Sequence, residues 1–103
     1  MTMPKLYEYF GLVVYFYANE HEPVHVHGEF QGRETKAEFI LRDGRVVRII
    51  FRSVPGRRPL TGAKLRDFKA LVQVKTDDIV RRWVDFHVLR KHNEPETITR
   101  RLK

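Results

Sequence analysis

The sequence contains no cysteine, and this absence excludes disulfide bonds and thiolate chemistry. It also lacks an apolar run of the roughly 20 residues that a membrane-spanning helix requires. A chain of 103 residues leaves little length for a second globule, and 42% hydrophobic residues are too many for a disordered segment. These features predict one folded domain over residues 1–103, and the missing cysteine fits a reducing, cytoplasmic location.

Negative charge is scarce in the second part of the chain. The formal net charge is +7, and residues 42–103 carry seventeen Lys/Arg against seven Asp/Glu, whereas residues 1–41 carry three against six. A basic surface attracts anionic partners, of which RNA or DNA comes first and an acidic protein second. The charge therefore predicts a nucleic-acid or protein partner, and the sequence gives no reason to expect a membrane.

Short runs of β-branched and aromatic residues, separated by turn signals, follow one another through residues 1–52. They predict an antiparallel meander of four or five strands, at residues 6–10, 12–18, 24–30, 35–41 and 45–52. Residues 61–91 then show helical spacing of apolar residues and predict two helices with a break near Lys75. Residues 92–103 form a basic tail with room for one further strand at 97–99. The fold class is α+β, with both helices packed on one face of the meander.

Three of the five histidines, His21, His25 and His27, lie within seven residues of one another. They belong to the segment Asn-Glu-His-Glu-Pro-Val-His-Val-His at residues 19–27. Strand alternation places His25 and His27 on the face opposite Val24 and Val26. We therefore expect the two histidines on the open, helix-free face of the sheet.

Pairing the strands about the turns at residues 19–23 and 31–32 indicates which side chains flank the histidines. Both hairpins place the same residues on the same face, which supports this register. It predicts two cross-strand rows, Tyr17–His25–Glu38 and Tyr15–His27–Lys36.

The third hairpin turns at Asp43-Gly44, a strong turn signal. A three-residue turn over residues 42–44, with Gly44 left-handed and forming a bulge, buries Val47 by pairing it with Phe39. The same register pairs Glu38 with Arg48 and adds Arg48 to the first row.

One interpretation of this face is metal-independent RNA cleavage. Histidine exchanges a proton near neutral pH, so His25 and His27 would serve as base and acid, with Glu38 orienting His25. Tyr17 would stack on a base or donate a hydrogen bond. The residues that would contact phosphate are Lys36, Arg48, Arg57 and Arg58.

Three other interpretations stay open. His25 and His27 lie roughly 6.5–7 Å apart at Cα on one strand face, so with His21 they could supply three ligands to zinc or another transition metal. Alternatively, the face and the basic helices bind nucleic acid or a protein without turnover and without a cofactor. The simplest interpretation is an exposed polar sheet face, as alternation produces in many antiparallel sheets.

The segment at residues 19–27 resembles the signature of a bacterial family known as domain of unknown function 4160. Its pattern is Asn-[Glu/Asp]-His-x-Pro-Pro-His-[Val/Phe]-His, from which Val24 departs at the second proline, and Met3-Pro4 fits the family's start. The resemblance implies an α+β fold with two C-terminal helices and a tryptophan, here Trp83. It implies no established reaction. It does imply a toxin–antitoxin-like setting with a small antitoxin-like protein as partner.

Overall fold

The sheet and the helices of this protein are described by a computed structural model at residues 4–17 and 23–102. The helices are α1 (Gly62–Val74) and α2 (Thr76–His87). The strands are β1 (Lys5–Tyr9), β2 (Leu12–Tyr15), β3 (His25–Phe30), β4 (Arg33–Arg42), β5 (Arg45–Ser53) and β6 (Glu96–Ile98). They form one sheet in the order β5-β4-β3-β2-β1-β6. The predicted α+β class is confirmed: β1 to β5 form the antiparallel meander, and β6 adds a sixth strand parallel to β1.

The β2–β3 and β3–β4 pairs have the predicted register. Tyr15 pairs with His27 across β2 and β3, and β4 places Glu38 opposite His25 and Lys36 opposite His27. The polar residues of β3 therefore share one face with those of β4, and the apolar residues share the other. This second face packs against the helices.

The predicted register of the β4–β5 hairpin, which turns at residues 43–44, is wrong. The turn has two residues, Asp43 and Gly44, both with positive φ, and the bulge lies further along, between the pairs Ile40–Arg48 and Leu41–Val46. Val47 is the extra residue and is 53% exposed instead of buried. The bulge keeps the apolar alternation in phase, since it pairs Phe39 with Ile49 where an unbulged ladder would bring up Arg48.

The core lies between the sheet and the two helices. Helix α1 buries Phe68, Leu71 and Val72 there, and α2 buries Ile79 and Trp83. Val14, Val26, Ala37 and Phe39 of the sheet join this cluster, together with Phe16 just after β2. None of the helices in the described part of the chain is both long and apolar enough to cross a membrane.

Local features explain how the helices are placed and where they end. Helix α1 approaches β3 closely at Gly28, where only glycine fits, because a Cβ there would lie 2.6 Å from the Phe68 ring. The predicted break near Lys75 is confirmed, since α1 ends at Val74 and α2 begins at Thr76. Helix α2 ends at His87, earlier than the predicted residue 91, because Arg90 adopts a left-handed conformation (φ 58°) that terminates a helix.

Polar contacts attach α2 to β1. Asp78 accepts hydrogen bonds from the Tyr7 hydroxyl, from Arg81 and, at 2.9 Å, from Arg82 Nε. Partial burial alone would raise the pKa of Asp78, but these three donors prevail and lower the pKa from its ordinary value of 3.8 to about 2. The ionised carboxylate is therefore the form that the folded state stabilises.

The lowered pKa of Asp78 predicts an acid-sensitive attachment of α2. Its contribution to stability is fully present above the ordinary pKa of 3.8 and is lost as the pH falls through about 2. We expect the stability difference between wild type and Asp78→Asn to shrink as the pH falls through this interval. Urea unfolding at a series of pH values measures it, with Asp43→Asn, in the exposed β4–β5 turn, as control. A pH-independent difference would contradict the assignment.

Candidate functional site

The histidine face is buried, contrary to the expectation of an open face. His25 and His27 are each 3% exposed. The His25 ring lies 5.0 Å from the ring of Trp83, a core residue of α2. The Tyr15 ring stacks on His27 at a centroid distance of 5.5 Å, and the Tyr17 ring meets it edge-on at 4.7 Å. Tyr15 and Tyr17 therefore cover His27, and Trp83 covers His25, although sequence alternation placed both histidines at the surface.

The most buried polar group of this face is the Glu34 carboxylate, which has no exposed surface. Its Oε2 lies 2.8 Å from His27 Nδ1 and 3.5 Å from the Tyr17 hydroxyl, which donates to it. Its Oε1 accepts a hydrogen bond of 2.8 Å from Arg57 Nη1. A buried carboxylate is tolerated when charged and polar partners surround it in this way. Glu34, His27, Arg57, Tyr15 and Tyr17 are called the Glu34 cluster below.

The loop between β5 and α1 closes the Glu34 cluster from one side. Arg57 also donates from Nη2 to Glu29 Oε2 at 3.3 Å and to the Gly32 carbonyl at 3.1 Å. The Glu34 amide donates a hydrogen bond of 2.8 Å to the Arg58 carbonyl, so the loop backbone pairs with β4 beyond the end of β5. The loop is held by backbone and side-chain contacts together, and this explains why Glu34 is inaccessible.

The contacts of the histidines indicate where their protons lie. His25 Nδ1 lies 2.6 Å from the carbonyl oxygen of Pro23, which can only accept, so Nδ1 carries hydrogen. For His27, a carboxylate oxygen 2.8 Å from Nδ1 favours the proton on that nitrogen. In this tautomer Nε2 is the ring nitrogen that carries no hydrogen. The ring centroids of the two histidines are 5.2 Å apart.

Tyr15 is unsuited to act as an acid at neutral pH. Burial, a hydrogen bond with Tyr17 and the negative charge of Glu34 raise the pKa of the Tyr15 phenol above its usual range. The phenol therefore keeps its proton and acts as a hydrogen-bonding and packing group beside His27.

The predicted site residues separate into two groups. Tyr17, His25 and His27 come together as expected. Glu38, in contrast, accepts a 2.7 Å hydrogen bond from Arg52 Nε and forms a 3.2 Å ion pair with Lys36. The Arg52 hydrogen bond is the main reason why the pKa of Glu38 is lowered.

The predicted place of Arg48 in the histidine row is wrong. Ile50 lies opposite Glu38 and Arg52 lies opposite Lys36, because the bulge shifts β5. Arg48 pairs instead with Ile40, further toward the hairpin turn, and is exposed. Of the two loop arginines, Arg57 points its guanidinium into the Glu34 cluster, whereas the side chain of Arg58 is exposed.

The three-histidine metal site stays a prediction. His21 lies outside the described residues. Within residues 4–17 and 23–102, no group of three histidine or carboxylate side chains is arranged to hold a metal ion.

Sequence reasoning missed Glu34, although a signal was present. In β4, Glu34 has the same parity as Lys36 and Glu38 and therefore the same face as the histidines. The pairing puts Glu34 opposite Glu29, diagonal to His27. A carboxylate two positions along the partner strand is within reach of a long side chain, so diagonal neighbours needed the same weight as direct ones.

The family model described as Domain of unknown function (DUF4160) matches residues 11–84. No curated protein and no solved structure matches the chain. The matched range includes β2 to β5, α1 and most of α2, and thus all residues of the Glu34 cluster.

The Glu34 cluster predicts a large stability cost for a neutral replacement. Glu34→Gln keeps the size of the side chain but weakens its contacts to His27 and Arg57, and we expect a loss of about 1–3 kcal/mol in the free energy of unfolding. Urea unfolding at neutral pH measures it. Glu94→Gln, whose side chain is 83% exposed beside His92, is the matched control and should change stability by less than about 0.5 kcal/mol. Equal effects of the two variants would argue against the cluster as a structural centre.

Proposed function

The chain belongs to the family described as domain of unknown function 4160, and we propose that it is a cytoplasmic module that binds the phosphate backbone of RNA. The proposal rests on one observation, a row of arginines on the helix-free face of the β4–β5 hairpin. They are Arg42, Arg45, Arg48 and Arg52, here called the arginine face.

The register explains why these arginines share a face. Arg42 lies opposite Arg45, and Arg52 lies opposite Lys36. Arg48 lies opposite Ile40, which has the same parity in β4 as Lys36. Directly opposed residues of an antiparallel pair point to the same side of the sheet, so the five cations are arranged along one two-stranded ribbon.

Most of this charge is available to an anionic partner. Arg42, Arg45 and Arg48 are exposed, and in the described part of the chain no ion pair engages them. Glu38 takes up the charge of Arg52 and Lys36 only in part, since one carboxylate faces two cations. Guanidinium groups match phosphate geometry, and a row of them follows a nucleic-acid backbone without reading its sequence.

Two of the residues first expected to contact phosphate have structural partners. Arg57 is bound to Glu34 and Glu29, and Lys36 is bound to Glu38. We therefore assign backbone binding to the arginine face and to the exposed Arg58, and not to Arg57. The toxin–antitoxin-like setting, with a small antitoxin-like protein as partner, remains part of the proposal on the strength of the family resemblance.

The arginine face predicts salt-dependent RNA binding. Arg42→Ser/Arg48→Ser should weaken binding of a single-stranded RNA and reduce the slope of log affinity against log salt by about 0.7 for each lost phosphate contact. Fluorescence anisotropy at several salt concentrations measures both quantities. The control is Arg66→Ser/Arg90→Ser, which removes the same charge from exposed positions of α1 and the segment after α2. Equal losses in both variants, or salt-insensitive binding, would contradict the assignment.

A second candidate function is metal-independent RNA cleavage, and the contact between His27 and Glu34 favours it. A histidine whose Nδ1 faces a carboxylate presents a basic Nε2, the arrangement of an oriented general base. His27 would take the proton of a 2′-hydroxyl as its oxygen attacks phosphorus, and protonated His25 would give a proton to the departing 5′-oxygen. Cleavage ranks below binding because both rings are 3% exposed.

The cleavage candidate predicts that purified protein cuts RNA in the presence of a chelator. His25→Ala and His27→Ala should each lower the rate by about 100-fold or more, the usual contribution of an acid or base. His92→Ala, whose side chain is 80% exposed, should leave the rate unchanged. Cleavage that both variants retain would exclude this chemistry, and cleavage that the chelator abolishes would transfer the assignment to a metal site.

A further inference from the structure

A groove of about 710 Å³ runs between β5 and the junction of the two helices. From the strand, Val47, Arg48 and Ile49 line it. From α2, Asp77 and Val80 line the other wall. The groove shares no residue with the Glu34 cluster and is thus a separate feature of the molecule.

The groove has a mixed lining, in which apolar side chains are incompletely covered beside polar ones. Ile49 and Val80 pack against the core but are only partly buried. Val47 is 53% exposed, and the neighbouring Leu41 is 38% exposed. Apolar side chains that cluster at an open groove with a polar rim are characteristic of an interaction surface.

The strand that borders the groove is an edge of the sheet. Among the described residues, β5 hydrogen-bonds to β4 alone and lies at the end of the strand order. Beyond the bulge, residues 48–53 pair with β4 in a regular ladder, so their outward N–H and C=O groups are spaced to accept one more strand. A sheet edge beside an apolar groove is the setting in which extended peptides bind by strand addition.

The charge around the groove selects its occupant. Arg45 and Arg48 line it against the single carboxylate of Asp77, and Arg42 and Arg52 flank it on the same hairpin. A second copy of this chain, paired edge to edge, would bring its own arginines against these, and like charges on adjacent strands repel. An acidic segment meets the opposite condition, since its carboxylates would pair with the arginines.

We propose that this groove binds an extended acidic segment of a partner protein. The backbone of the segment pairs with residues 48–53 of β5. Alternate side chains, which are apolar, contact Val47, Ile49 and Val80, and the intervening carboxylates face Arg45 and Arg48. This interaction is separate from RNA binding, because it requires the apolar groove as well as the arginines.

The test uses the full-length protein, labelled for amide NMR, and a short peptide of alternating glutamate and isoleucine. We expect saturable binding, with amide shifts concentrated in β5 and at the start of α2. Peptides in which lysine replaces glutamate, or in which the same residues are arranged in two blocks, should bind at least about tenfold more weakly, since they lose the charge match or the alternation.

Two matched variants locate the site. Val47→Glu places a charge in the groove at a residue that is already 53% exposed, and it should weaken peptide binding by about tenfold or more. Val88→Glu makes the same change just after α2, at a residue that is 65% exposed, and should leave peptide binding unchanged. Both variants carry the same net charge, so a difference in peptide binding between them reflects the position of the new carboxylate.

Three outcomes would overturn the proposal: absence of saturable binding, equal binding of the lysine peptide, and equal effects of the two variants. Self-association of the free protein that Val47→Glu abolishes would also overturn it, because a second copy would then occupy the groove. Because Arg48 belongs to both surfaces, loss of RNA binding in the Arg42→Ser/Arg48→Ser variant tests the RNA proposal, whereas peptide binding by Val47→Glu and by the block-arranged peptide tests the groove. Failure of one proposal is therefore distinguishable from failure of the other.

Discussion

A carboxylate without exposed surface requires partners, and the neighbourhood of Glu34 is organised by that requirement. His27 supplies one partner from β3 and Arg57 another from the loop after β5. These contacts bring together segments that are 23 residues apart in the chain. Because a buried ion pair is costly to break, the helix-free face acquires a rigid polar interior of its own, beside the apolar core on the other face.

This arrangement separates the histidines from the positive charge. His27 and Glu34 lie beneath tyrosine rings and a loop, and His25 also contacts Trp83, while Arg42, Arg45 and Arg48 are exposed along the β4–β5 hairpin. An exposed surface can bind an anionic partner directly. A histidine can transfer a proton only if the substrate reaches it, and both histidines are buried. The proposed binding by the hairpin and the proposed chemistry at the Glu34 cluster thus involve different regions, and the exposure of the two regions ranks the binding proposal first.

The hairpin also illustrates how a small irregularity controls a surface. One extra residue, Val47, keeps Phe39 and Ile49 on the core side and moves Arg48 away from the histidine row. The sequence correctly predicted a bulge, because an unbulged two-residue turn would have placed an arginine on the core face. It placed the bulge at the turn because turn signals are local, whereas the position of a bulge depends on how both strands pack against the helices.

Alternation, turn residues and helical spacing are local patterns, and by themselves they determined the α+β class, the meander, the first two hairpin registers, the helix break and the shared face of His25 and His27. Burial depends on what packs over a face from elsewhere in the chain. Only the tertiary structure therefore decided that this face is closed, that Glu34 is the carboxylate beside His27, and that Arg57 is a structural residue. The same reason applies to the groove beside β5, whose walls come from a strand and a helix that are distant in sequence.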